Sequence, residues 1–225
     1  MKGPLLRAFL GSLAVALAIP VLALASSSKP KVLVIHFGLE VNPVTSSYLD
    51  HQLDRAENGR YNAAVIVLDT PGGLSESMRK IVKTEIALRV PVIVYVSPSG
   101  SRAASAGVWI TEAADIAAMA PATNIGSSTP IDSSGQNLGS DLRRKVINDA
   151  VASLTSLMRY HHRNAAWAAA AVRKASNIDE QKALKINVVD ALAPTLPALL
   201  NKIDGRKTVG KKFVLHTAEI GRAHV

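Results

Sequence analysis

The sequence predicts an α/β fold built on a mostly parallel sheet, and three observations carry that prediction. Runs rich in Val, Ile and Ala recur as KVLVIHF (Lys31–Phe37), AAVIVLD (Ala63–Asp69) and VIVYV (Val92–Val96). Each is short and almost uniformly apolar, the pattern of a strand covered on both faces. Segments of helical length separate them, and a strand–helix–strand order implies parallel pairing through right-handed crossovers.

The elements follow in order. After the strand Lys31–Phe37 a helix runs from about Thr45 to Asn58. The strand Ala63–Asp69 is ended by Thr70-Pro71-Gly72-Gly73, whose Pro and Gly punctuate the chain. A helix from about Leu74 to Leu88 carries Met78, Ile81 and Val82 on one side. Pro91 opens the strand Val92–Val96, and Ser97-Pro98-Ser99-Gly100 breaks it. The small residues of Arg102–Gly107 let a helix begin in tight packing. Asp115–Met119 is a further strand, and Ala120–Gly126 turns the chain away. Ile131–Leu138, rich in Ser, Gly, Gln and Asn, reads as a mobile loop. The helix Arg144–Tyr160 places Val146, Ala150, Leu154 and Leu157 on one face. An Ala-rich helix from about Asn164 to Lys174, a short helix Asp179–Leu184, a strand Val188–Leu192 and a helix Leu196–Ile203 stopped near Gly205 complete the unit. There is no internal repeat.

Composition narrows the chemistry. The chain has 225 residues, 48% of them apolar, enough for one domain with a proper core. It has no cysteine, which excludes a disulfide scaffold, a thiolate zinc site, an iron–sulfur cluster and a cysteine nucleophile. Covalent catalysis must then use oxygen or nitrogen. Aromatic residues make up only 4%, which argues against binding single-stranded nucleic acid by stacking. Lys2 and Arg7 precede an uncharged run, Ala8–Ala25, that ends in Ala23-Leu24-Ala25. This is the anatomy of a secretory signal peptide, and the run is also long enough to serve as an uncleaved anchor. The expected domain is therefore 26–218, on the extracytoplasmic face. The net charge of +9 is scattered and fits a solvated surface near anionic lipid better than nucleic acid. Residues 219–225 match the translation of a common sequencing adapter, so the natural chain is expected to continue beyond Ala218 with a membrane-anchoring region.

Several segments together carry a resemblance. LDTPGG (Leu68–Gly73), the proline-led VIVYV strand, RAASAG (Arg102–Gly107), IAAMAPATNIG (Ile116–Gly126), KVINDAVA (Lys145–Ala152) and RNAAWA (Arg163–Ala168) resemble, in order, the NfeD-type membrane-bound serine peptidases. These are Clp-protease-like enzymes encoded beside stomatins. The resemblance runs from about residue 31 to Gly205. It implies the ββα superhelix shared by Clp proteases and crotonases, a serine–lysine dyad, a hydrophobic peptide substrate, a stomatin-like membrane partner and a homodimer.

Peptide hydrolysis needs a nucleophile, a base, and donors aimed at the oxyanion. Ser105 is the candidate nucleophile, since its Ala and Gly neighbours leave room for a scissile bond; taken alone, ASAG reads more readily as a small-residue packing site, and the resemblance reverses that weighting. Backbone N–H groups of Gly72 or Gly73 and of Ala106 are the candidate oxyanion donors, although strand-to-helix turn chemistry also explains the glycines. A Clp-type histidine about twenty residues after the serine is absent. His36, His51, His161 and His162 read as packing or surface residues. The resemblance instead implies Lys145 as the base, where composition alone would read one surface charge among 26 basic residues. A free amine titrates near about 10.4, so a lysine base must be desolvated to act at neutral pH. Asp69 reads as a turn cap and Asp149 as a helix-surface or dimer residue. No HExxH, Walker loop or dinucleotide fingerprint occurs, so no metal or cofactor is expected. Two other classes share the fold: a catalytically silent scaffold of a membrane complex, and a crotonase-type acyl-CoA enzyme, against which the export signal argues.

Overall fold

The structure is a computed structural model, and it describes residues 30–131, 139–218 and 221–224. In chain order its elements are β1 (Lys31–Phe37), α1 (Pro43–Asn58), β2 (Ala63–Leu68), α2 (Ser75–Ala87), β3 (Val92–Val96), β4 (Arg102–Ala103), α3 (Ala106–Ala113), β5 (Ile116–Met119), β6 (Asn124–Gly126), α4 (Ser140–Tyr160), α5 (Ala165–Arg173), β7 (Asn177–Asp179), α6 (Glu180–Lys185), β8 (Ala191–Leu192), α7 (Leu196–Ile203) and β9 (Gly221–His224).

Six strands form one sheet in the order β8-β5-β3-β2-β1-β9, and every pairing in it is parallel. Alternation along each strand sends side chains to two separate cores. Leu33, Ile35 and Phe37 of β1, with Ile66 and Leu68 of β2, pack beneath the helical layer that holds Leu49, Ile81, Ile110 and Leu154. Val32, Val34, Val65, Ile93 and Tyr95 face the other way, against Leu199, Leu200 and Ile203 of α7. Burial on both faces is why these strands read as continuous apolar runs.

The differences from the sequence reading have local causes. α1 begins at Pro43 because Asn42 accepts from the N–H groups of Val44 and Thr45, while Thr45 Oγ1 accepts from the Asn42 N–H. The strand expected at Val188–Leu192 shrinks to Ala191–Leu192, because the N–H groups of Val188 and Val189 donate to the Ala183 carbonyl at the end of α6. β4, β6 and β7 were not expected. Two or three residues long, they form a second small sheet in which β4 and β6 run parallel and β7 antiparallel. α4 begins at Ser140, earlier than expected, and the loop predicted at Ile131–Leu138 falls mostly outside the described residues. Gly221–His224 pairs with the edge of β1, whose open row of N–H and C=O groups any extended segment satisfies.

A buried guanidinium ties the helical layer to the sheet. Arg163 has a side chain 1% exposed; its Nε and Nη2 donate to Asp190 Oδ2 at 3.1 and 2.7 Å. Nη2 also donates to the Ala114 carbonyl at 2.8 Å, and Nη1 to the Glu112 carbonyl at 3.1 Å. Burial pushes the Glu112 carboxyl up to about 8, against the pull of Arg163, and Asp190, which accepts from the guanidinium at 2.7 Å against 3.4 Å for the Glu112 carboxylate, is the closer partner. Truncation of this hub strands a buried carboxylate and several carbonyls. Arg163→Met is expected to cost about 3–5 kcal/mol of stability. Arg206→Met, which removes a 41% exposed partner of the same Asp190, is expected to cost less than about 1 kcal/mol. Denaturant unfolding of the two variants checks this, and equal losses would contradict it.

Candidate active site

The site forms where β2 runs out. Asp69 Oδ1 accepts from the Arg102 N–H at 3.0 Å, as a turn cap should. Thr70, fully buried, bridges to Ala103: its N–H donates to the Arg102 carbonyl, and its own carbonyl accepts from the Ala104 N–H. The next residues turn aside with φ of +107° at Gly72 and +152° at Gly73. The Gly72 carbonyl accepts from the Val41 N–H at 2.7 Å, and the Leu74 N–H donates to the Val41 carbonyl at 2.8 Å, which pins the glycine strip alongside Val41.

Ser105 is set against this strip. It precedes the first residue of α3 with φ 51° and ψ −114°, a left-handed conformation for a residue that has a Cβ. Such backbone costs about 1–3 kcal/mol and persists only where its surroundings enforce it. Here the Ser105 N–H donates to the Ser127 carbonyl at 2.7 Å, and Ser128 Oγ donates to the Ser105 carbonyl at 3.2 Å. Gly72 must be glycine at this contact: a Cβ there would stand 2.4 Å from Ser105 Cβ. Gly107, the second residue of α3, lets Thr70 approach, because a Cβ there would meet Thr70 Cγ2 at 2.7 Å.

Ser105, Ala106 and Gly73 open together on one cleft, walled by Met78 and Arg79 of α2, Trp109 of α3 and Val146, Asp149 and Ala150 of α4. The N–H groups expected near the serine separate. That of Gly72 donates to Thr70 Oγ1 at 3.1 Å and is already spent. Of the three N–H groups, those of Gly73 and Ala106 are the ones without an acceptor among the described residues, and both residues line the cleft.

Lys145 is not among the residues that line the cleft. It is exposed on α4, one residue before the wall residue Val146, and makes no ion pair among the described residues. Asp149 lies on the exposed surface of α4, as the sequence reading has it, and there it also lines the cleft and is bonded to Arg79, a residue the sequence does not single out. No short motif could have flagged that pair, since 70 residues separate its members. His161 is buried on the Ala113 carbonyl at 3.0 Å, and burial lowers it to about 3, leaving a neutral packing imidazole. His36, His51 and His162 are exposed, and none lines the cleft. Among the described residues no helix is long and apolar enough to cross a membrane.

Residues 31–194 match the family model of the NfeD1b N-terminal domain. The chain belongs to this family. It is 36% identical over 194 residues to the membrane-bound protease PH1510 of Pyrococcus horikoshii, which covers 85% of this chain but 43% of that protein. The chain thus spans less than half the length of the curated relatives it matches. Among solved structures it is similar to a serine-to-alanine mutant of the 1510-N membrane-bound stomatin-specific protease, with a TM-score of 0.82, 31% identity, and coverage of 88% of this chain and 98% of that one. It is equally similar, at 0.82 and 30%, to a lysine-to-alanine mutant of the same protease in complex with a substrate peptide, over 88% and 93% of the two chains. ClpP1 from Listeria monocytogenes, at 16% identity over 72% of this chain and 91% of that one, has a TM-score of 0.59, so the NfeD1b domain has the Clp-protease fold.

The contact between Gly72 and Ser105 can be tested by itself. Gly72→Ala adds a clash to an unfavourable φ and is expected to cost about 2–4 kcal/mol. Gly100→Ala, at φ +92° with nothing within 4 Å of the added Cβ, is expected to cost about 1 kcal/mol. Thermal unfolding separates the two, and equal losses would show that Ser105 does not depend on Gly72.

Proposed function

We propose that this NfeD1b-type domain is a serine endopeptidase that cleaves apolar, membrane-proximal peptide segments with a Ser105–Lys145 dyad and without ATP. The observation that carries it is Ser105 held at positive φ in an open cleft, beside the unspent N–H groups of Gly73 and Ala106. A strained serine at a strand-to-helix turn next to two backbone donors is the arrangement acyl transfer requires. The 1510-N structures support the residue assignment. The serine and lysine replaced in them stand 41 residues apart in their chain, against 40 between Ser105 and Lys145 here.

In the proposed reaction Lys145 Nζ, as the neutral amine, takes the proton of Ser105 Oγ while Oγ attacks the scissile carbonyl carbon. The oxyanion accepts from the Gly73 and Ala106 N–H groups, donors whose individual loss costs about a hundredfold to a thousandfold in rate. The C–N bond then breaks, the Lys145 ammonium gives its proton to the departing amine, and water repeats the sequence to release the acyl group. Lys145 stands outside the cleft, so the bound peptide must cover it, removing water from the amine and bringing it to Ser105. The name of the 1510-N protease favours a stomatin-like membrane protein as the source of the peptide, and the Lys2/Arg7 leader favours action on the extracytoplasmic face. The cleft supports this reading over a silent scaffold, which would have no use for a strained serine.

Cleavage of one short apolar peptide tests the proposal. Ser105→Ala is expected to abolish turnover with little change in melting temperature. Lys145→Arg is expected to be as inactive as Lys145→Ala, because a guanidinium keeps its proton, and wild-type kcat/KM is expected to rise with pH as the neutral amine forms. Gln at His36, His51 or His162 is expected to leave the rate nearly unchanged. An active Lys145→Arg enzyme would remove Lys145 from the mechanism.

A further inference from the structure

Two charged side chains line the cleft, and they come from different helices. Arg79 Nη2 on α2 donates to Asp149 Oδ2 on α4; the other lining residues are small, polar without charge, or apolar. The cleft does not end at this pair. Met78, Arg79 and Trp109 also wall a second hollow, whose lining includes the apolar Val82, Ile86 and Leu157 together with Ser153, Ser156 and the exposed Lys83. The two hollows share those three walls and adjoin one another between α2 and α4.

We infer that the Arg79–Asp149 pair sets the substrate selectivity of the cleft, by cancelling two opposite charges beside a largely apolar hollow that takes an uncharged side chain such as Leu or Phe from the bound peptide, the one other charge there being the exposed Lys83. The inference rests on the peptidase reading and adds the residues that choose the substrate. An acidic peptide side chain beside the pair gains Arg79 only by displacing Asp149, which then repels it, and a basic side chain meets the mirror-image conflict. An apolar side chain disturbs neither partner and buries its surface in the hollow. Arg79 and Asp149 side chains are 42% and 64% exposed, so the pair stands at the rim, where solvent weakens it as a source of stability. Its removal therefore leaves a folded protein in which selectivity can be read.

The experiment uses the Ser105→Ala protein, which binds without turnover and keeps the readout independent of Lys145. Its probes are fluorescent apolar hexapeptides that carry Leu, Glu or Lys at each position in turn, with Kd read by anisotropy. The Ser105→Ala parent is expected to prefer Leu at one position. Adding Asp149→Asn leaves Arg79 unopposed and is expected to shift the Glu:Leu affinity ratio at that position by about tenfold toward Glu. Arg79→Gln is expected to shift the Lys:Leu ratio by a similar factor toward Lys, and the double variant to restore the preference for Leu. Melting temperatures confirm that each variant folds. Unchanged ratios, or equal changes for all three peptides, overturn the inference alone, as does a variant that alters self-association without altering the ratios. Failure of every peptide to bind the Ser105→Ala parent overturns the peptidase reading together with it.

Discussion

The organisation of the site depends on one constraint: Ser105 must stay at φ 51°, a conformation that a residue with a Cβ avoids. Each nearby feature is explained by that demand. The Ser127 carbonyl holds the Ser105 N–H, Gly72 lacks the Cβ that would strike it, and Gly107 lets Thr70 close in from beneath. Thr70 in turn spends its hydroxyl on the Leu39 carbonyl at 2.7 Å and on the Gly72 N–H. The small β4-β6-β7 sheet brings the Ser127 carbonyl to the serine, because β6 leads directly into it. A second sheet with no large core of its own is thus accounted for by the turn it supports.

Rigidity is distributed unevenly around the cleft. Beneath it, Arg163 fastens the end of α3 to Asp190, and Leu154, Leu157 and Met158 bury the C-terminal half of α4. The N-terminal turns of the same helix, with Leu142 and Lys145, are exposed. Segments with few buried contacts open at low free-energy cost. The proposed base therefore sits on the more exposed part of α4, where approach of a peptide can reposition it, while the nucleophile sits on a turn held by backbone hydrogen bonds and close packing.

What the sequence made legible follows the same division. β1 and β3 were read to the residue, because a strand covered on both faces leaves an unbroken apolar run in one local window. Leu68–Gly73 and Arg102–Gly107 were recognisable because strained turns restrict residue type position by position. β4 and β7 were invisible: short strands owe their existence to partners distant in the chain, not to their own composition. The cleft-lining role of Asp149 was missed for a related reason, since its partner Arg79 lies on another helix. Arg163 appeared in a recognised segment, but only burial shows that it anchors carbonyls at the end of α3. Gly72 and Gly73 looked equivalent as donors until Thr70 was seen to occupy one of them.

The central claim is that this fold presents Ser105, and no other serine, as an activated nucleophile. Reaction of the folded protein with a fluorophosphonate, read by intact mass and peptide mapping, tests it most directly. The account predicts a single adduct on Ser105, formed faster as pH rises and lost in both Ser105→Ala and Lys145→Arg. No adduct over a wide pH range, or an adduct on Ser128 or another serine with Ser105 untouched, would contradict it.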